Sequence, residues 1–348
     1  MVSILKFQPI AVGSLPLKDV GLAMKLVEKD FAVIPFLPQL VNISKNEDII
    51  SQFTEGMPSF FLGGKCFKQN DEEIEKFYSD YNNIFSGQKE KLEKYAISPD
   101  FSHSFADFEK LVRMKKPVYA KLQITGPFTL CDSYKNEKNQ YLIYDEKLKD
   151  ILIKLLELKV LWMIERVKKA NSGTKPIIFI DEPYISQLNK PSYKDVARSD
   201  VISMLSNIVK TIHENDAISG IHCCGDCDWS LVIESGSDII NPDIYYHGTN
   251  FLSYDKDIAG FLKKGGKISW GIVPTRYEED LKNIRVQDLL QIFESALTYL
   301  TKNGIDEKLI TENSLITSSC GAGTLRVEMA ERAMDLVFEL SKILRERY

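Results

Sequence analysis

The sequence has no long uninterrupted hydrophobic run and no marked excess of charge of either sign. Of its 348 residues, 44% are hydrophobic and 27% are charged, which is typical of a globular protein. No apolar run is long enough to span a bilayer. A net charge of −5 gives no long-range attraction for nucleic acid or anionic lipid. We therefore expect a protein that binds neither membranes nor nucleic acids.

The first residues also lack the features of a secretion signal, which are a charged region, an apolar stretch and a small-residue cleavage site. Six cysteines without such a signal predict a reducing, cytoplasmic location, where thiols serve metal binding or catalysis more often than disulfides. Low-complexity segments and short-period repeats are absent. The length suits one large domain or two small ones, and we expect a single catalytic domain spanning residues 1–348.

Short apolar runs alternate with long amphipathic segments along the whole chain. The predicted strands span residues 9–14, 32–36, 118–124, 176–181, 218–223, 237–241, 267–273 and 314–319. The main predicted helices span residues 19–30, 104–115, 144–170, 192–215, 286–302 and 325–345. This α/β alternation, with eight strands, predicts a (β/α)8 TIM barrel. A polar stretch at about 42–100 is predicted to be a helical insert after the second strand, near the active face.

Polar or reactive residues follow directly after most of the predicted strands. The segments are Gly-Ser-Leu-Pro (13–16), Thr-Gly-Pro (125–127), Asp-Glu-Pro (181–183), His-Cys-Cys-Gly (222–225), Asn-Pro-Asp (241–243), Pro-Thr-Arg (274–276) and Cys-Gly (320–321). Each Pro or Gly could simply end a strand. Barrels hold their active sites at the carboxyl ends of the strands, however, and seven such loops on one face favour a functional site.

His222 and Cys224 lie one residue apart at the end of a predicted strand, so both side chains point to one side and Cys223 points to the other. Imidazole and thiolate groups are the ligands that zinc prefers, and Cys320 would supply a third ligand while leaving one position open, as in catalytic sites. The cysteines could instead be small buried hydrophobic residues. Cys224 and Cys227 could also be a redox pair or half of a zinc ribbon, although no second Cys-x-x-Cys accompanies them.

The order of these motifs resembles the cobalamin-independent methionine synthase family. The matching segments are Gly-Ser-Leu-Pro (13–16), Ile-Thr-Gly-Pro (124–127), Ile-Asp-Glu-Pro (180–183), His-x-Cys (222–224) and Cys-Gly-x-Gly-Thr-Leu (320–325). The resemblance is to the catalytic C-terminal half of these enzymes, and to the core enzymes that consist of that half alone. The wider superfamily also contains uroporphyrinogen decarboxylase, which uses no metal, and the coenzyme M methyltransferases, whose His-x-Cys-Gly-Asp segment is equally close.

The resemblance implies a zinc site with three matching ligands, His222, Cys224 and Cys320. The family's usual fourth ligand is a glutamate after the following strand. The closest position here holds Asp243, which is one methylene shorter, and Glu234 is a weaker substitute on the preceding helix.

The same resemblance implies how homocysteine binds. Asp181 matches the residue that holds its amino group, and Ser14 matches the one that holds its carboxylate. Glu55, in the insert, is a further match for an acidic residue that binds the amino group. Asp181 or its neighbour Glu182 could alternatively be a helix cap.

The expected reaction is transfer of a methyl group to the thiol of homocysteine to form methionine, because zinc coordination converts a thiol into a thiolate at neutral pH. The catalytic residues would be Asp181, His222, Cys224 and Cys320. Resemblance to the core enzymes implies a methyl-corrinoid protein, carrying methylcobalamin, as the donor in place of methyl-folate. Two alternatives remain: a methylcobalamin:coenzyme M-type methyltransferase, and a metal- or corrinoid-binding module without turnover.

Overall fold

A computed structural model of the chain describes residues 5–62 and 66–348. The strands in this part are β1 (Ser59–Leu62), β2 (Cys66–Gln69), β3 (Tyr119–Thr125), β4 (Lys135–Asn136), β5 (Lys175–Asp181), β6 (Ile218–Cys223), β7 (Ile239–Pro242), β8 (Lys267–Val273) and β9 (Ser314–Ser318). The α-helices are α1 (Val20–Asp30), α2 (Asp71–Phe85), α3 (Phe105–Lys115), α4 (Pro127–Ser133), α5 (Glu146–Ala170), α6 (Arg198–Glu214), α7 (Trp229–Glu234), α8 (Ile244–Leu252), α9 (Asp255–Lys263), α10 (Glu278–Asn283), α11 (Val286–Lys302), α12 (Glu307–Glu312) and α13 (Val327–Arg347).

Six of the strands form a curled parallel sheet in the order β3-β5-β6-β7-β8-β9. Its strands are apolar because both faces are buried. In β5, Ile178 and Ile180 belong to the main core that the helices cover, whereas Ile177 and Phe179 belong to a smaller cluster on the other face. Asp181 continues the second set, since side chains alternate along a strand. The mixed α/β architecture therefore agrees with the sequence prediction.

The prediction of a closed eight-stranded (β/α)8 barrel is wrong. The predicted first and second strands, at 9–14 and 32–36, are not regular strands. They make isolated parallel bridges, Pro9 with Ile316, Ser14 with Gln39, and Phe36 with Lys121. Proline has no amide hydrogen to donate to a ladder, and Pro9 and Pro35 lie within these two segments, with Pro16 and Pro38 two residues beyond them. The segments lie beside the edge strands β9 and β3 as isolated bridges and not as regular strands. Each one hydrogen bonds to its edge strand, from the Ile10 amide to the Ile316 carbonyl and from the Leu37 amide to the Lys121 carbonyl, both at 2.9 Å.

The predicted helices agree well with the structure. Most begin and end within two residues of the expected positions. The exception is α6, which begins at Arg198 because residues 191–193 form a separate 3₁₀ turn. None of the described helices combines the length and the apolarity required to cross a bilayer. That the chain is one catalytic domain stays a prediction.

The insert at 42–100 is less helical than predicted. It contains α2, but β1 and β2 pair as an antiparallel hairpin, and β2 also pairs in parallel with β4 outside the insert. A buried salt-bridge and hydrogen-bond contact anchors the start of the insert: the Glu47 carboxylate accepts hydrogen bonds from the amides of Leu40 and His103, at 2.8 Å and 2.7 Å. The insert is thus an irregular layer tied to the loop after the second bridging segment.

Candidate metal and substrate site

A cavity of about 390 Å³ opens at the carboxyl ends of the parallel strands. It brings together six of the seven residues predicted to bind metal or substrate, which are Ser14, Asp181, His222, Cys224, Asp243 and Cys320. They come from loops that are distant in sequence and adjacent in the sheet. The loops that follow the strands therefore meet at one site, as the motif pattern predicted.

The ligand atoms of His222, Cys224 and Cys320 lie within 4.8 Å of one another. His222 is at the end of β6 and Cys224 directly follows that strand, while Cys320 lies two residues beyond β9. Cys223 is buried in the main core, on the other side of β6, where Cys227 hydrogen bonds to its thiol. Cys224 lines the cavity while Cys227 lies in the core, which favours metal binding by Cys224 over a Cys224–Cys227 redox pair.

His222 is oriented as a metal ligand would be. Its Nδ1 lies 3.1 Å from the carbonyl oxygen of Asn241, whereas its buried Nε2 has no well-formed hydrogen bond. Buried polar atoms without partners are rare, and a histidine that binds metal usually donates its other ring N–H to a carbonyl or carboxylate. Two thiols and one imidazole at this spacing fit the donor set that zinc selects.

The pKa values of the Cys224 and Cys320 thiols are shifted in opposite directions. The hydrogen bond from Cys320, aided by His222 and opposed by burial, lowers the pKa of Cys224 to about 4. The same hydrogen bond, together with burial, raises the pKa of Cys320 well above its usual value. Burial acts to lower the pKa of His222, but contact with Cys224 outweighs it and raises the pKa to about 9. These shifts favour a Cys224 thiolate paired with a protonated His222, and a metal ion bound here would displace the His222 proton.

The loop after β8 holds the backbone of Cys320, which lies beyond the end of β9. The Thr275 hydroxyl donates a hydrogen bond to the Cys320 carbonyl at 2.9 Å and accepts one from the Cys320 amide at 3.1 Å. On the other side, the Ser14 carbonyl accepts a hydrogen bond from the Ala322 amide at 2.9 Å. A side chain at Gly321 would collide with the Ser14 hydroxyl. Ser14 and Cys320 are therefore positioned by one another.

Asp181 and Glu182 are consecutive but have different surroundings. Asp181 lines the cavity, and its Oδ1 is buried without a hydrogen-bond partner. Burial raises its pKa to about 6, although the charges of Lys121 and His222 act in the opposite direction. Glu182 instead caps α4, accepting hydrogen bonds from the amides of Phe128 and Thr129 at 2.8 Å and 2.9 Å. The helix-cap alternative thus describes Glu182, and Asp181 offers an unsatisfied carboxylate to a ligand.

The two candidates for a fourth metal ligand lie outside the cluster of ligand atoms. Asp243 lines the same cavity, but its carboxylate caps α8 by accepting a hydrogen bond from the Tyr246 amide at 3.0 Å. Burial raises its pKa to about 6. Glu234 is on the outer surface, where it forms an ion pair with Arg198 at 2.7 Å. Only Asp243 is placed where it could approach a bound ion.

Glu55 does not line the cavity. Its carboxylate accepts a hydrogen bond from the Ser98 amide at 2.9 Å within the insert. The insert contributes Asp48 and Ile49 to the cavity wall instead. The resemblance indicated an acidic residue from the insert, but the local sequence does not distinguish Asp48 from its acidic neighbours. Arg276, at the end of the Pro-Thr-Arg segment, also lines the cavity and was not predicted as a site residue.

Comparison with known proteins gives one informative similarity. No protein-family model matches the chain. The chain is 26% identical over 229 residues to a methionine synthase from Methanocaldococcus jannaschii, and the match covers 64% of each protein. The chain thus spans less than two thirds of the length of this curated relative. At this identity and coverage the chain is similar to a methionine synthase, and the similarity does not distinguish the cobalamin-independent subfamily from others.

Proposed function

We propose that the protein is a zinc-dependent methyltransferase that transfers a methyl group to the thiol of homocysteine, forming methionine. The observation that carries this proposal is the placement of the His222, Cys224 and Cys320 cluster in one cavity with the unsatisfied Asp181 carboxylate. The similarity to a methionine synthase supports the same reaction class. The choice of a methyl-corrinoid donor rests on the resemblance to the core enzymes alone.

Zinc held by these three side chains would leave one position for the substrate sulfur and would favour its thiolate form at neutral pH. The His222 imidazole is fixed by the Asn241 carbonyl, so its Nε2 faces the two thiols. Cys320 is held by Thr275. These contacts preserve the geometry of the site when a ligand enters or leaves, and they require no movement of the strands.

Substrate residues surround this position on two sides. The ammonium group of homocysteine would pair with the Asp181 carboxylate and give its buried Oδ1 the hydrogen-bond partner that it lacks. Asp48 also lines the cavity, but its carboxylate already accepts hydrogen bonds from the amides of Ile50 and Ser51. The Ser14 hydroxyl and backbone would hold the substrate carboxylate. Asp243 also lines the cavity, where its carboxylate would be a fourth ligand if it approached the zinc.

The decisive experiment measures zinc content and methyl transfer in the same preparation. Methylcobalamin and methyl-folate are each supplied as donor, with homocysteine or coenzyme M as acceptor. We expect one zinc per chain and transfer from methylcobalamin to homocysteine. Transfer to coenzyme M at an equal or higher rate would contradict the homocysteine assignment, and bound zinc without transfer to either thiol would indicate a binding module.

A pair of cysteine variants links the metal to the activity. Cys320→Ser removes a proposed ligand, whereas Cys66→Ser changes a cysteine of β2 whose thiol contacts the Asn136 carbonyl, away from the cavity. We expect Cys320→Ser to lose zinc and at least about 100-fold in activity, while Cys66→Ser keeps both. Full zinc occupancy and full activity in Cys320→Ser would refute this ligand set.

A further inference from the structure

Arg276 lies at the rim of the cavity in a preformed aromatic setting. Its guanidinium group is 5.8 Å from the ring centre of Tyr246 and 6.0 Å from that of Tyr277. The two rings meet edge to face at 5.9 Å, and the Tyr246 hydroxyl donates a hydrogen bond to Asp280 at 2.6 Å. Cation–π contacts of this kind hold a guanidinium group in place while leaving its N–H groups free.

The charge around the cavity makes Arg276 distinctive. The carboxylates that line the cavity belong to Asp48, Asp181 and Asp243. Among the described residues, Arg276 is the only lysine or arginine that lines it, and it forms no ion pair there. Its donor fork matches the oxygens of a carboxylate or a phosphate. Arg276 would offset the repulsion between the aspartates and a ligand that carries such an anion.

The buried residues of the cavity and the exposed residues at its rim suit different substrates, the thiol acceptor and the methyl donor. Asp181 and His222 are buried, whereas Arg276 is exposed and Tyr277 is 57% exposed. The thiol acceptor has to reach the buried cluster, so its partner in the reaction meets it from the rim. Next to Arg276, the rim therefore carries the exposed ring of Tyr277 beside one positive charge. A methyl donor with a planar ring system and an anionic group fits this combination.

We propose that Arg276, Tyr246 and Tyr277 form the recognition platform for the methyl donor, with Arg276 binding a donor carboxylate or phosphate. This inference rests on the proposed function, because it takes a donor and a thiol to meet in the cavity. Two donors share the required chemistry: methylcobalamin carries a phosphate in its nucleotide loop, and methyl-folate carries the carboxylates of its glutamate tail. The aromatic rings contact the planar part, and Arg276 contacts the anion.

The test measures donor binding directly, by equilibrium dialysis of the zinc-loaded protein with methylcobalamin, methylcobinamide (which lacks the nucleotide phosphate) or methyl-folate. Arg276→Gln should raise the Kd for the true donor about three- to ten-fold at low salt, and added salt should reduce this difference. The control Arg113→Gln changes an exposed arginine of α3 that pairs with Glu109, and it should leave the Kd unchanged. Zinc content and the KM for homocysteine should stay at wild-type values in both variants.

The possible results distinguish between the two donors and test the platform separately from the proposed function. A loss seen with methylcobalamin but not with methylcobinamide assigns the phosphate, and a loss confined to methyl-folate assigns the glutamate tail. Equal donor binding by wild type and Arg276→Gln, or no donor binding by the wild type, overturns the platform. A higher KM for homocysteine with an unchanged donor Kd places Arg276 at the acceptor and also overturns it. Arg276-dependent donor binding without methyl transfer to any thiol supports the platform and contradicts the proposed function.

Discussion

Asp181 is the residue whose surroundings most favour a charged ligand. Its buried carboxylate lacks a hydrogen-bond partner on Oδ1, so an incoming ammonium group would gain a charge-assisted contact. Asp181→Asn keeps the size and removes the charge. We expect a rise of about 10- to 100-fold in the KM for homocysteine, because such contacts contribute about 1.5–3 kcal/mol.

The readouts for this variant separate binding from folding. Zinc content should not change in Asp181→Asn, and transfer to coenzyme M, which has no ammonium group, should be much less affected than transfer to homocysteine. Asp216→Asn is the matched control, since that aspartate is exposed and pairs with Lys175. An unchanged KM for homocysteine in Asp181→Asn would exclude Asp181 as the ammonium partner.

Lys121 gives a pH-dependent prediction at the scale of one residue. It is fully buried on β3 below the cavity, where its ammonium group contacts the Gln123 side chain at 2.9 Å and faces the Phe179 ring. Burial lowers its pKa to about 8, with the charge of Asp181 opposing the shift. The folded protein therefore releases this proton at lower pH than the unfolded chain, whose lysines titrate near 10.4.

The sign of the effect follows from this order of titration. Below pH 8 the lysine is charged in both states, and the cost of burying the charge is fully present. Between pH 8 and about 10.4 only the unfolded state keeps the proton, so the stability of the wild type rises relative to Lys121→Met by up to about 3 kcal/mol. Urea unfolding of both proteins at pH 7 and pH 10 measures this difference. A stability difference that does not vary with pH would contradict it.

At the scale of elements, Glu182 and α4 form one unit. The Glu182 carboxylate satisfies amides at the start of α4 and also accepts a hydrogen bond from the Thr129 hydroxyl at 2.6 Å. A side chain at Gly126 would collide with this carboxylate, so the Thr-Gly-Pro and Asp-Glu-Pro motifs are complementary parts of one contact. The Asp-Glu-Pro motif, which indicated a functional site, thus also contains a residue, Glu182, that stabilises the start of α4.

Removing this cap should affect stability more than chemistry. Glu182→Ala leaves buried donors unsatisfied, and we expect a loss of about 2–4 kcal/mol in the free energy of unfolding. Glu182→Gln, which keeps acceptor oxygen and volume, should lose less. The measurement is urea unfolding, with zinc content as the second readout. A Glu182→Ala protein as stable as the wild type would refute the capping role.

The sequence predicted most elements but not all of them, for physical reasons. Amphipathic periodicity placed the helices closely, and Asp19, where the first predicted helix begins, is the N-cap of α1. The two apolar runs that contain Pro9 and Pro35 form only isolated bridges, because proline lacks an amide hydrogen, and hydrophobicity alone does not reveal this. The hairpin of β1 and β2 was missed because its strands are short and lie within a polar insert. Strand periodicity predicted that His222 and Cys224, and not Cys223, face the site. The position of Asp48 in the cavity wall was not predicted, because it depends on the path of the insert, which no local sequence pattern encodes.

At the scale of the whole molecule, the two ends of the described chain support each other. Phe7 is fully buried against Phe293 and Tyr348, with ring centres 5.4 Å and 5.8 Å away. The Ser341 hydroxyl of α13 donates a hydrogen bond to the Phe7 carbonyl at 2.6 Å. These contacts hold the first bridging segment, and with it Ser14, beside β9.

Phe7→Ala should therefore weaken the entire fold. A fully buried aromatic side chain is lost, and we expect the free energy of unfolding to fall by about 3–5 kcal/mol. Leu22→Ala is the comparison, because Leu22 is 52% exposed and its loss should cost less than about 0.5 kcal/mol. Chemical unfolding of both variants measures the difference. Similar stabilities of the two variants would show that the contacts of Phe7 with Phe293 and Tyr348 contribute little to the stability of the fold.

The small apolar cluster below the cavity has a kinetic consequence. Ile177, Phe179 and Leu315 fill the amino-terminal half of the interior face of the sheet, on the side from which Asp181 reaches the cavity. A ligand of Asp181 would therefore come from the carboxyl-terminal side of the sheet, where Arg276 lines the cavity. In the proposed reaction, methionine has to depart along the route by which the donor arrived. Turnover would then follow a compulsory order, in which the thiol enters first and the spent donor leaves before the product.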